Sequence, residues 1–439
     1  MSTDQEDLTG AAGDGQAAAP APEVAVIDLG LATSLGDYAA AWWKRVRSGD
    51  AGVLPVLAGL VLIVVVFRTQ SAVFLSAGNL VNLLTQASYY MLFGMAEVFV
   101  LLIGEIDLST GYVALCGSAV TVILMSNLHN VSWFPAILAG LAFCGLAGAI
   151  QGVLVTRLRV PSFVVTLGGL LAFEGLLLFI LNSWAPRSYG GTVPVVLGSV
   201  LYDFDNGRVS PLAGWVVAAV AVVAYAGYLL YRDRSRRANN LVAPPSSLTL
   251  LRILGVAVAA AAVVAVCNVN SGVHGGSVIR GVPWALFIIL GIGLVTTFVL
   301  QRTRFGRYVY AVGGNAEAAR RAGISLARIR ILCFALGGVM AGAAGMFLVS
   351  FTQDATSSED GGSLVLYAVA AAVIGGTSLF GGRGKIVHAV LGGLVIATIA
   401  NGMGLLNIST DGQDVVTALV LVAAATVDAL TRRSRASRT

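Results

Sequence analysis

The sequence predicts an all-α polytopic membrane protein of about twelve transmembrane helices, and three observations carry that prediction. Apolar residues make up 57% of the 439 positions and charged residues only 11%, less than half the roughly 25% of a soluble globular domain. Apolar runs long enough to cross a bilayer follow one another from residue 51 onward. The connections between those runs alternate between rich and poor in arginine. So little charge cannot cover a soluble surface of this size, which excludes a water-soluble protein with a greasy core.

Residues 1–40 are rich in Ala, Gly, Pro and acids. They hold no basic stretch followed by an apolar run and a cleavage site, so they read as a disordered cytoplasmic tail and not as a signal peptide. A helix needs about 20 residues to cross the hydrocarbon. Spans are predicted at 51–67, 87–103, 108–125, 133–156, 160–181, 212–231, 250–267, 282–300, 331–350, 363–380, 385–405 and 413–430. The second and third read either as two spans or as one broken helix. Residues 431–439 form a basic cytoplasmic tail.

Orientation follows from the charges. An N-terminus inside puts Lys44, Arg45 and Arg47, then Arg157 and Arg159, then Arg232, Arg234, Arg236 and Arg237 in the cytoplasm. The 301–330 loop with its seven arginines, Arg383 with Lys385, and the arginines of the tail fall on that side too. The other side keeps Arg68, Arg187, Arg208 and Arg280, with the acidic Asp354, Glu359 and Asp360. This is the positive-inside pattern, and twelve crossings return the C-terminus to the cytoplasm. The balance of 27 basic to 22 acidic residues therefore comes from the loops and implies no nucleic acid.

The four cysteines lie far apart in apolar runs and the three histidines are scattered. No metal or redox spacing results, and no catalytic triad can be assembled. Glycines stud the spans, as close helix packing in lipid requires. One echo, Gly168-Gly169-x-x-x-Phe173-x-Gly175 against Gly375-Gly376-x-x-x-Phe380-x-Gly382, is compatible with an inverted repeat or with chance in a glycine-rich chain.

Residues 302–330 form the longest charged internal loop. After a Gly313-Gly314 break, Asn315 can cap a short helix over Ala316–Ala322. Glu317 stands in its first turn, Arg320 and Arg321 in its last, and Gly323 stops it. The segment is either a solvated positive loop or a helix offered to a partner. Several charges also fall where charge is expensive. Glu97 and Glu174 sit within apolar runs, and Glu105 and Asp107 at a helix junction. Glu105, Asp107 and Ser109 either orient a broken helix beside a pathway, or Asp107 and Ser109 cap the helix beginning near 108. Glu97 and Glu174 are either pore-facing groups or buried partners of an arginine.

The stretch Thr303-Arg-Phe-Gly-Arg-Tyr-Val-Tyr-Ala-Val-Gly-Gly-Asn315, with Glu317-Ala-Ala-Arg320 and Ala322-Gly-Ile324, resembles the cytoplasmic signature of the ribose/xylose/galactose ABC permease family. Glu105-Ile-Asp107-Leu-Ser109-Thr-Gly111 and Ala371-Ala-Val-Ile-Gly-Gly-Thr-Ser-Leu-Phe-Gly-Gly-Arg-Gly384 resemble two further signatures. Val160 to Gly169, and Asn401-Gly402 with Asn407, fit as well. The resemblance runs in order over about 51–430 and is closest to the longer xylose-type members, with 212–267 as a pair of spans inserted into a ten-span core. Glu105 stands where many members have Gly, and Glu174 where many have Arg.

The resemblance implies a permease subunit for monosaccharide import, probed in the 302–330 loop by a separate ABC ATPase and from outside by a sugar-binding protein. It implies that Gly313, Gly314, Asn315, Glu317, Arg320, Arg321 and Gly323 form the ATPase-coupling helix. Glu97, Glu105, Asp107, Ser109, Glu174 and Asn401 are expected along the translocation pathway or at a helix break, and a second copy of the chain is expected across it. No cofactor is expected in this chain. The P-loop pattern GxxxxGK[ST] is absent, since Gly384-Lys385 lacks both the first Gly and the Ser/Thr, and ATP belongs to the partner. A nucleoside or signalling-molecule importer shares much of the pattern. An ion-coupled carrier would instead use Glu97 and Glu174 as coupling carboxylates.

Overall fold

The computed structural model describes residues 52–127, 129–185, 190–241, 243–269, 273–274, 277–409 and 412–419, with isolated positions at 36, 40, 43, 422 and 426. The two tails expected at 1–40 and 431–439 lie outside the described residues but for positions 36 and 40. Eleven of the twelve apolar runs coincide with helices, and the twelfth is helical over 412–419.

In chain order the helices are α1 (Leu54–Gln70), α2 (Ala77–Leu102), α3 (Thr110–Met125), α4 (Trp133–Arg157), α5 (Ser162–Ser183), α6 (Val200–Asn206) and α7 (Pro211–Ala238). There follow α8 (Ser246–Asn268), α9 (Trp284–Arg302), α10 (Arg304–Gly314), α11 (Ala316–Arg321), α12 (Leu326–Thr352), α13 (Gly361–Ile374) and α14 (Ile386–Leu405). Short strands lie between them: β1 (Thr192–Pro194), β2 (Arg208–Val209), β3 (Val273–His274), β4 (Ser277–Val278), β5 (Val282–Pro283) and β6 (Asp354–Thr356). Antiparallel pairs join β1 to β6, β2 to β5 and β3 to β4.

Among the described residues, seven helices (α4, α5, α7, α8, α9, α12 and α14) are long and apolar enough to cross a membrane. The helix at the centre, α2, is not among them, and its burial explains why. Nineteen of its 26 residues are buried, including every one from Leu92 to Leu102. Its neighbours are protein, so it needs no lipid-compatible surface and tolerates Asn79, Thr85, Ser88 and Glu97. The same polar residues account for its start at Ala77, ten residues before the predicted 87. Hydropathy discounts polar residues whose partners are distant in sequence: Asn79 Nδ2 donates to Asn401 Oδ1 on α14 at 2.8 Å.

α7 and α8 show the reverse. Only Gly214, Leu229 and Asp233 of α7 are buried, so this hairpin stands at the periphery, as an inserted pair would. Its turn is held by Asp233, which accepts from Thr249 across the hairpin and pairs with Arg232 at 2.9 Å.

α4 and α12 pack almost backbone to backbone. A Cβ on Gly148 would lie 2.2 Å from the carbonyl oxygen of Phe334, and one on Gly338 would lie 2.2 Å from that of Cys144. Without a hydrophobic force between helices in lipid, such close approach supplies the dispersion contact.

The 87–125 region contains two helices, α2 and α3, joined by residues 103–109. α3 has 16 residues and α13 has 14, about 24 and 21 Å at 1.5 Å per residue, both short of a bilayer core of roughly 30 Å. Each borders irregular backbone, 103–109 before α3 and 375–385 after α13. The predicted tenth span, 363–380, accordingly stops at Ile374. The two irregular segments meet, with Gly382 N–H donating to Leu102 O at 2.9 Å, so protein satisfies their polar groups where lipid could not. The glycine echo has no structural counterpart. Gly168 to Gly175 lies inside α5, whereas Gly375 to Gly382 is this irregular segment.

Candidate coupling surface and core polar groups

The 302–330 segment carries two helices in place of the single one expected. Thr303 caps α10 by accepting from Gly306 N–H. Gly313 and Gly314 are the last residues of that helix and stand directly before the Asn315 cap of the next. α10 is amphipathic: Gly306, Val309 and Val312 are buried while Arg304, Arg307 and Tyr308 face outward. Gly313 is required by proximity, because a Cβ there would lie 1.7 Å from Leu102 O and 2.6 Å from Gly382 N. It seats the segment directly on the junction of the two irregular connections. Tyr310 adds a hydrogen bond to Gly384 O at 2.8 Å.

Asn315 then caps α11, its side chain accepting from Ala318 N–H at 2.9 Å. Gly323, at φ +80°, ends it, with Ile324 N–H reaching back to Ala319 O. Between the caps Glu317 pairs with Arg320 at 2.8 Å and with Arg321 at 3.1 Å. All three are at least half exposed, while Ala319 points inward. The hydrogen bonds from Arg320 and Arg321 hold the Glu317 carboxyl below its ordinary value. α10 and α11 thus offer Arg304, Arg307, Tyr308, Glu317, Arg320 and Arg321 on a surface braced against the core.

Directly behind this surface lies Glu105. Its carboxylate is 3.1 Å from Nε of Arg330, one turn into α12. The nitrogen lies off the hydrogen-bonding direction, so the contact is an ion pair. The sequence listing of Arg330 among loop charges carried no hint of this partner.

Ser109, at the N-cap position of α3, makes no side-chain cap bond, while Asp107 binds the backbone just ahead of the helix. Asp107 Oδ1 accepts from both Ser109 N–H at 2.8 Å and Ser109 Oγ at 2.7 Å, closing a local turn just before the helix. Ser109 has no side-chain bond into the first turn of α3. It accepts instead from Gln151 Nε2 of α4 at 2.7 Å. Among the described residues no arginine pairs with Glu97. It is fully buried and accepts from Thr110 Oγ1 at 2.7 Å, its second oxygen has no partner, and the Asp107 charge acts on it. Glu97, Asp107, Ser109, Thr110 and Gln151 are therefore one buried network linking α2, α3 and α4.

Glu174 belongs elsewhere. It is half-buried on α5 and faces the Tyr112 hydroxyl, on which Asp360 also acts. Asn401 sits at the far end of α2 with Asn79 and joins none of these groups. A further cluster escaped the sequence reading: Tyr367 and Ser363 of α13 both donate to Asp414 of the 412–419 helix.

Residues 79–425 match the family described as branched-chain amino acid transport system / permease component. The chain is 32% identical to the xylose transport system permease protein XylH of Haemophilus influenzae over 390 residues, covering 88% of this chain and 98% of that one. It is 33% identical to XylH of Escherichia coli K12 over 403 residues, covering 89% and 95%. The D-allose transport system permease protein AlsC of Escherichia coli K12 is 30% identical over 373 residues, covering 84% and 90%. No solved structure matches. The central α2, the apolar helices around it and the charged α10–α11 face are those of a multi-pass transport permease, and the chain belongs to the branched-chain amino acid transport system / permease component family.

Proposed function

We propose that this chain is the membrane permease subunit of an ABC importer for a monosaccharide, with xylose or a related pentose as its cargo. The observation that carries this reading is end-to-end similarity to xylose permeases, 98% and 95% of whose lengths are covered. The D-allose and ribose permeases also match at 30% and 28% identity, which supports a sugar as the substrate class.

In this reading all twelve apolar helices cross the bilayer, both termini are cytoplasmic, and α10–α11 is the docking surface for a separate ATPase subunit. The exposed arginines around Glu317 would meet acidic groups on that subunit. Closure of the nucleotide sites would then push on Gly313, and so on the 103–109 and 375–385 connections it touches. A soluble sugar-binding protein would dock on the opposite end, over β1–β6 and α6, and two copies of the chain would enclose one pathway. ATP stays with the partner subunit and no cofactor is held here.

The test is ATP hydrolysis by the permease reconstituted with an ATPase and a binding protein encoded beside it, titrated with D-xylose, D-ribose, D-allose and L-leucine. Stimulation by a pentose supports the reading. Stimulation by L-leucine alone, or failure to form the complex, overturns it.

A further inference from the structure

The short helix α6 carries a buried acid whose chemistry is incomplete. Asp205 is 4% exposed. Its backbone N–H donates to Ser350 Oγ on α12, and its Oδ1 accepts from Ser88 Oγ on α2 at 3.3 Å. Two flanking helices thus fix its position, yet Oδ2 has no hydrogen-bond partner. Three residues on, Arg208 leaves α6 and enters β2, which β5 pins in register through Pro283 and Val282. Its Nε and Nη1 are also buried without a partner. The two charges act on one another, but among the described residues no ion pair joins them within 4.0 Å.

An acceptor and donors three residues apart, each buried without a partner, are costly to leave so on both sides. Burial pushes the Asp205 carboxyl well above its ordinary value, with Ser88 and Arg208 opposing, so the carboxylate form is favoured only when a further donor reaches it. Both backbones are held, that of Asp205 in α6 with its N–H on Ser350 Oγ and that of Arg208 by the pairing of β2 with β5. A group that donates to Asp205 and accepts from Arg208 through one oxygen would satisfy both. A hydroxyl does this, an ether oxygen cannot donate, and an aliphatic side chain can do neither.

We propose that Asp205 and Arg208, with Ser88 positioning the carboxylate, form a polar subsite that holds a hydroxyl of a neutral sugar on its way through the permease. The choice of a sugar over another hydroxyl compound rests on the function proposed above. A zwitterionic amino acid could also bridge an acid and a guanidinium, so the test must separate the two. The subsite lies under α6 and against Ser88, midway along α2 and about 21 Å of helix from Leu102, where α10 docks.

The experiment is saturation-transfer NMR on the permease–ATPase complex in nanodiscs, with D-xylose as the probe and tetrahydropyran and L-leucine as controls. Sugar uptake into proteoliposomes is measured in parallel. We expect saturable D-xylose binding at millimolar concentration and none by tetrahydropyran. Asp205→Asn should weaken binding about tenfold, the size expected for one charge-assisted hydrogen bond. Arg208→Met should weaken it similarly, with partial recovery in Arg208→Lys. If Asp205→Asn fails to assemble, Ser88→Ala, which frees the carboxylate, should give a smaller loss.

Equal affinity in wild type and the folded variants means that water alone meets these groups and overturns the subsite. So does absent binding while xylose uptake proceeds, although the permease reading then stands. Saturable xylose binding without uptake of any sugar keeps the subsite and removes the permease reading. Binding of L-leucine and not D-xylose overturns the sugar assignment.

Discussion

Glu105 and Arg330 join the α2–α3 connection to the first turns of α12 through a 3.1 Å ion pair. Both residues flank the candidate coupling surface, one behind it and one just after it in the chain. Their side chains are 14% and 30% exposed, so water screens part of the attraction and its direct worth is about 1 kcal/mol or less. The pair's consequence is positional. Glu105→Arg or Arg330→Glu should leave the protein folded and cut sugar-stimulated ATP hydrolysis several-fold. The swapped double variant should recover most of it, and a double variant no better than either single change would show that the two do not act as a pair.

Glu317 is the one acid on the exposed α10–α11 surface, and it is bound to two arginines of its own helix. Glu317→Arg would place three positive charges on one face and should abolish coupling while sparing insertion and thermal stability. Basal hydrolysis with no sugar stimulation is the expected readout; normal uptake would remove α11 from the coupling role. The carboxyl's folded pKa lies below its ordinary value. Its contribution is therefore present above that ordinary value and is lost only as pH falls through the depressed one. Changing pH between 6 and 8, well above the ordinary carboxylate range of about 4, should leave coupling through this pair unaltered.

The apolar runs, the arginine alternation and the Asn315 and Gly323 helix signals were legible because each depends on residues close in sequence. Glu105, Asp107 and Glu97 were legible as misplaced charges, but not their partners. Arg330, Ser109 with Gln151, and Thr110 come to them only through folding. α2 was underread by ten residues for the same reason, since burial by protein hides polar groups that hydropathy counts as exposed. α10 was missed because its Gly313-Gly314 end suggests a break, whereas the close approach to Leu102 is what demands glycine. Asp205 and Arg208 carried no sequence signal, being two unremarkable charges in a segment between apolar runs.

Gly148 tests the α4–α12 contact. Its missing side chain leaves room for the Phe334 carbonyl, which a Cβ would meet at 2.2 Å. Gly148→Leu should force the helices apart, costing about 1–3 kcal/mol or more and lowering the yield of monodisperse protein. Gly255 on α8 is the control, because a Cβ there meets nothing within 4 Å. Gly255→Ala should be neutral or stabilise the helix by up to about 1 kcal/mol. Equal unfolding temperatures for the two variants would show that the close packing contributes nothing.

Glu97 separates an ATP-driven importer from an ion-coupled carrier. A carrier would need this carboxyl to take up and release a cation in each cycle, and Gln cannot. In the structure Glu97 is closed in by protein, with one oxygen held by Thr110, the other unmatched, and the Asp107 charge nearby. An amide fits that setting better than a carboxylate does. It keeps the acceptor for Thr110 and removes a like charge from the neighbourhood of Asp107. Glu97→Gln should therefore retain uptake within about twofold and unfold at the wild-type temperature or higher. Uptake should also survive an uncoupler in proteoliposomes supplied with ATP. Loss of uptake in a stable Glu97→Gln protein, together with collapse under the uncoupler, would make Glu97 a coupling carboxylate and the ATPase surface on α10–α11 incidental.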